Sequence, residues 1–107
     1  MHADRPVTSP WTTAMVYGSL AHYAELAASR ESIADVEAER DISAAIIHLP
    51  TEFQAKFAAW HWLLQQPAHE LEVRLGWETG SADKMIQRIG RNIRQFLMRG
   101  VGRSRRK

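Results

Sequence analysis

The chain reads as a succession of stretches in which apolar residues recur every three or four positions, the period of an amphipathic helix. After Thr12 and Thr13, both able to cap, come Ala14, Tyr17, Leu20, Ala21, Ala24 and Ala28. This stripe predicts a first helix from about Thr13 to Ala28, with a small-residue face against which something packs closely. Ser29 to Ser32 breaks the pattern, and Ser32 with Asp35 three residues on resembles a capping arrangement. A second helix then carries Ile33, Val36, Ile42, Ala45, Ile46 and Leu49, with a solvated middle from Glu37 to Asp41. Pro50 ends it, because proline donates no backbone hydrogen bond and disfavours helix at the residue before it.

Thr51, with Gln54 three positions on, caps a third helix. Phe53, Phe57, Trp60 and Leu64 form one stripe of it, and Ala55, Ala58, Ala59, Trp62 and Leu63 cover much of the rest. A helix apolar on most sides is a central one. Trp60 falls on the core stripe, whereas Trp62 points elsewhere, as a second core wall or as an anchor for a partner. Pro67 opens a short helix with Leu71, Val73 and Leu75, stopped at Gly76. A turn over Trp77, Glu78, Thr79 and Gly80 follows, and Ser81 is expected to cap the last helix. Ala82, Met85, Ile86, Ile89, Ile93, Phe96 and Leu97 face inward there, and Asp83, Lys84, Gln87, Arg88, Arg91, Asn92, Arg94 and Gln95 face outward. No strand or repeat signal occurs. The fold class is therefore all-α, a compact domain of about five helices with a C-terminal helix-turn-helix over about residues 68–98. Residues 1–12 read as a flexible arm, 13–98 as one helical domain and 99–107 as a basic tail.

Composition supports a single core: the chain has 107 residues, 45% of them hydrophobic and 24% charged. It has no cysteine, which excludes a disulfide scaffold, a thiolate zinc site and a cysteine nucleophile. His2, His22, His48, His61 and His69 are scattered, with no second histidine at metal-ligand spacing after His69-Glu70. No nucleophile lies beside a base, and no phosphate loop is present. No enzymatic activity, cofactor or metal is expected. No apolar run approaches the roughly 20 residues that cross a bilayer, and the first ten residues lack a signal-type stretch. A cytoplasmic protein without membrane contact is the expectation.

Charge changes the picture most. The formal net charge of +2 conceals a division. All 12 acidic residues lie between Met1 and Asp83, against Arg5, Arg30, Arg40, Lys56 and Arg74. From Lys84 to the end every charged residue is basic. Such a division points to a polyanion or an acidic protein as partner, or to a solubilising tail. Two short helices joined by a glycine-containing turn, the second basic on its outer side, make the arrangement that lays one helix in a major groove about 12 Å wide. Lys84, Gln87, Arg88 and Arg91 lie on successive turns of one side, where Gln reads adenine, Arg reads guanine and Lys takes phosphate. Thr79 and Ser81 stand at the helix N-terminus, where backbone N–H groups favour a phosphate. Arg99, Arg103, Arg105, Arg106 and Lys107 add salt-sensitive attraction.

From Leu49 to Leu97 these residues resemble region 4 of bacterial σ factors. The matching stretches are Leu49-Pro50, Glu70-Leu71-Glu72-Val73-Arg74-Leu75-Gly76-Trp77 and Gly80-Ser81-Ala82, continued by Ile86, Ile89 and Ile93. Glu72 stands where the family usually has a small Ala, Trp77 is larger than the usual Ile or Val, and Asp83 puts an acid near the groove-facing start of the helix. As a free-standing module behind other helices, with Tyr17-Gly18 in the leading one, the chain is also similar to phage late-gene antiterminators of the Q type. The resemblance implies a phage or bacterial transcription regulator that binds duplex DNA near a promoter and contacts RNA polymerase. The alternative is a non-enzymatic adaptor or inhibitor of RNA polymerase or another regulator. Trp62, Glu37, Glu39 and Asp41 would then form the contact surface and the basic tail would be incidental. RNA binding through the arginine-rich tail ranks below duplex DNA. Monomer and homodimer both stay open, since the face of Ala14, Gly18, Ala21, Ala24 and Ala28 could serve another chain.

Overall fold

The computed structural model describes residues 11–29 and 32–99. They form six helices in the order α1 (Thr13–Ala21), α2 (Tyr23–Ser29), α3 (Ile33–Ile47), α4 (Glu52–Ala58), α5 (Ala68–Leu75) and α6 (Ser81–Met98), with no strand among them. Three starts are set by side chains that bond an otherwise unpaired N–H. Thr12 accepts from Met15, Ser32 from Asp35 and Thr51 from Gln54. Gly76 closes α5 with φ +70°, the left-handed conformation that costs glycine least. There the N–H of Trp77 reaches the Glu72 carbonyl at 2.9 Å and that of Gly76 reaches Val73 at 3.3 Å.

The expected single first helix is two helices. The chain breaks at His22, whose N–H turns back to Ser19 at 3.1 Å. The face it buries also differs. Leu20 is buried as expected, but it is Val16 and Tyr23 that join it in the core, whereas Ala14, Tyr17, Ala21 and Ala28 face solvent. Burial of a Val, Leu or Tyr side chain removes more apolar area from water than burial of an alanine methyl, so the larger residues determine the orientation. In α3, Ile42, Ala45 and Ile46 are buried as expected, but Ile33 is 79% exposed at the helix start. Ile47, one position past the core stripe, is 76% exposed. Val73 in α5 likewise faces outward while Leu71 is fully buried.

One core joins all six helices, and α6 crosses α1, α3, α4 and α5. Ala82, Ile89, Ile93 and Leu97 of α6 meet Val16, Leu20, Ile42, Leu49, Phe57 and Leu71. Trp11 belongs to this core rather than to a flexible arm: it is buried and its indole N–H donates to Asp41 at 3.1 Å. The third expected helix is shorter. After Ala58 the chain widens into a π-turn over Ala59–Leu63, with the Leu64 N–H reaching back five residues to Ala59 at 2.8 Å. Gln65 then adopts φ +60° and ends the segment. Leu63 and Leu64 are exposed, so this helix is central only at Phe57 and Ala58.

Tyr23 ties α2 to α3. Its hydroxyl shares a 2.5 Å hydrogen bond with Ser43, and Ser43 donates to Glu39 at 2.9 Å. Burial pushes the phenol above its ordinary value of 10.0; the Ser43 bond offsets part of this, and the Glu39 carboxylate adds to the rise. The unfolded chain thus releases this proton at lower pH than the folded one. The associated stability is complete below about pH 10 and falls as pH rises through the folded-state value. In urea titrations across that window, Tyr23→Phe should lose less stability than the parent chain. An identical alkaline loss in both would exclude Tyr23 as its source.

Candidate nucleic-acid interface

The apolar residues of α6 recur so that Ala82, Ile89, Ile93 and Leu97 are buried along one side. At 100° per residue, the opposite side must carry Lys84, Arg88, Arg91, Gln95 and Arg99. All five are exposed. The four cations of this row span about 22 Å, at about 1.5 Å of rise per residue. None makes a salt bridge among the described residues, so the acids of α3 do not neutralise Arg88 or Arg91. Gln87 is exposed on the flank nearer α1, with half-buried Arg94 about two turns on, and Asp83 lies on that same flank at the helix start. The row is therefore an uncompensated positive strip on a rigid element, anchored from behind by the core.

The start of α6 is built differently from the sequence expectation. Gly80, at φ +94°, is the cap residue, and Ser81 is already the first helical residue, with no side-chain capping bond. The cap function is performed by Glu72 from α5. Its Oε2 accepts the N–H of Gly80 at 2.8 Å and that of Ala82 at 3.0 Å, while the N–H of Ser81 goes to the Glu78 carbonyl at 3.1 Å. Glu72 is only 5% exposed. A buried carboxylate thus occupies the place at the helix N-terminus where Thr79 and Ser81 were expected to favour a phosphate, and it complements the dipole there. Thr79 itself is exposed on the turn and Ser81 is half-buried. The signal was available in the sequence: an acid on the inward side of an amphipathic helix, shortly before Gly80, has a buried donor to satisfy.

An aromatic cluster fixes the turn that precedes the strip. Trp77 stacks on Phe57 at 5.7 Å between centroids with 13° between planes, and Phe53 tilts against both at 5.8 and 6.1 Å. Arg74 bonds Gln66 at 2.6 Å and lies over Trp60 at 5.3 Å, so this cation is already engaged inside the fold. Met85 and Trp77 floor a shallow cleft between the turn and α6 whose rim carries Lys84 and Arg88.

On the other flank, Trp62 meets the strip. It is half-buried and lines a cleft with Tyr17, Leu20 and Ala21 from α1 and Ile86, Gln87 and Arg91 from α6. The remaining expected partner residues lie on α3. Glu37 is exposed on α3, beside a groove lined by Trp11, Met15 and Leu26. Glu39 and Asp41 are half-buried and accept hydrogen bonds from Ser43 and Trp11. Gly90 went unnoticed in the sequence; it is buried in the middle of α6, where a Cβ would stand 3.1 Å from the Tyr17 ring. A glycine inside a strong helical pattern is the mark of such a close approach. Arg103, Arg105, Arg106 and Lys107 lie outside the described residues. No cluster of three metal-ligating side chains occurs among the described residues, and no helix there is long and apolar enough to cross a membrane. Comparison with family models, with curated proteins and with solved structures finds no match to this chain.

Proposed function

We propose that this chain is a nucleic-acid-binding regulator of transcription, acting on duplex DNA through the outer side of α6. The observation that carries the reading is the strip of Lys84, Arg88, Arg91 and Arg99, exposed, free of ion pairs among the described residues and backed by the core. Four cations on one rigid helix neutralise phosphates without reordering the protein, and counterion release supplies the affinity. The α5–turn–α6 unit supports a helix-turn-helix mode of docking, with α5 and the Phe53/Phe57/Trp77 cluster as the brace. Gln87 is the exposed side chain suited to base edges, and Lys84, Arg88, Arg91 and Arg99 are suited to phosphates. Contact with RNA polymerase rests on the likeness to σ-factor region 4 and belongs to the same proposal.

The test is a titration of labelled duplex DNA at two or more salt concentrations. Each phosphate contact contributes about 0.9 to the slope of log affinity against log salt. The double variant R88A/R91A should lower that slope by about 1.8 and weaken binding roughly thirtyfold or more near 0.1 M salt. An unchanged slope and affinity in that variant would remove α6 from the interface.

A further inference from the structure

The cleft beside the strip has a composition that the strip alone does not explain. Tyr17, Trp62 and Ile86 line it together with Gln87 and Arg91, both of them exposed. Tyr17 is 43% exposed although it is large and aromatic, and its ring is held over α6 by the absence of a side chain at Gly90. Trp62 is brought to the same place by the π-turn, and the edge of His61 packs against it at 4.9 Å between centroids.

We infer that this cleft receives an unpaired nucleobase from a strand whose phosphates lie along Lys84, Arg88, Arg91 and Arg99. The inference rests on the nucleic-acid reading of α6 and adds a second mode of contact to it. Two aromatic rings beside a cationic row are the elements from which single-strand binding is built: rings stack on any base, and arginines hold the backbone. Gln87 carries a donor and an acceptor within one amide, which suits the hydrogen-bonding edge of a base lodged in the cleft. Arg91 belongs both to the row and to the lining of the cleft, so a strand followed along the row passes beside the cleft. A base inside a duplex could not enter, because its faces are covered by its neighbours. The ligand is therefore a single-stranded segment, and comparison of oligodeoxynucleotide with oligoribonucleotide of one sequence identifies the sugar preferred.

The experiment measures anisotropy of a labelled short single strand, of an abasic strand of equal length and of the corresponding duplex, all at one salt concentration. The abasic strand keeps every phosphate and removes only the bases. The full chain should bind the base-bearing strand on the order of tenfold or more tightly than the abasic one, the scale of one stacked base. Trp62→Leu and Tyr17→Ala should each bring the two strands toward equal affinity while binding to the abasic strand is retained. Because Tyr17 is largely outside the core, its variant preserves the test if Trp62→Leu fails to fold. Equal affinity of the parent chain for base-bearing and abasic strands, with both bound, overturns the cleft and leaves the strip intact. Failure to bind duplex, single strand and abasic strand alike overturns both.

Discussion

Phe57→Ala is expected to destabilise the fold by about 3–5 kcal/mol, as read from urea denaturation. Phe57 is fully buried and lies where α4, the α5–α6 turn and the central core meet. Its ring stacks on Trp77 and is tilted against Phe53. Truncation removes the ring's burial and leaves a cavity between Trp77 and the buried faces of α5 and α6, which helices tied at both ends close only in part. A domain of this size holds a total of about 5–15 kcal/mol, so the variant stands near the limit of folding. Phe57→Leu should recover much of the loss, because it refills most of the volume without the stacked ring. A loss below about 1 kcal/mol for Phe57→Ala would mean that the aromatic cluster does not hold the turn. The consequence for function follows from position: this cluster sets the angle at which α6 leaves the turn, and so where its outer strip points.

Glu72→Ala is expected to cost about 2–4 kcal/mol, from two backbone N–H groups at the start of α6 left without their acceptor. Ala82 is fully buried and water cannot replace the carboxylate there, whereas Gly80 is half-buried and recovers part of its loss from solvent. Glu72→Gln keeps a carbonyl oxygen in the same place and should cost about 1 kcal/mol, since hydrogen bonds to an ionised acceptor are roughly twice as strong as neutral ones. Equal losses in the two variants would mean that the bonds to Gly80 and Ala82 contribute little. DNA binding supplies an independent reading. With the resident anion neutralised, the N-terminus of α6 repels a nearby phosphate less, and duplex affinity of Glu72→Gln should rise about two- to fivefold, the scale of a charge at a helix end. A fall in affinity would place Glu72 among the groups that hold DNA rather than among those that keep phosphate away from the helix start.

The local devices of this fold are legible in the amino-acid sequence. Thr12, Ser32 and Thr51 cap the helices they were expected to cap, and Gly76 stops α5 in the left-handed conformation. The outer side of α6 also follows from spacing alone, because one long run of apolar residues at helical period leaves a single orientation for Lys84, Arg88 and Arg91. Where two stripes compete within one helix, spacing is not enough. Across α1 and α2 the small-residue stripe and the larger set Val16, Leu20 and Tyr23 both recur at helical period and share Leu20, and the neighbours that favour the larger set lie far along the chain.

What the sequence by itself determined is therefore local: helix starts and stops, the all-α class and the location of the positive charge near the C-terminal end. These depend on interactions within a few residues, such as a hydroxyl bonding an N–H three positions on or a glycine permitting positive φ. Tertiary structure alone decided the rest. It brought Glu72 to the start of α6, buried Trp11 against Asp41 and closed Tyr17 over Gly90. It also carried Trp62 through a π-turn to the flank of the basic strip. Each of these contacts joins residues whose proximity is decided by the mutual packing of helices, and that packing is governed by total buried area rather than by any short segment.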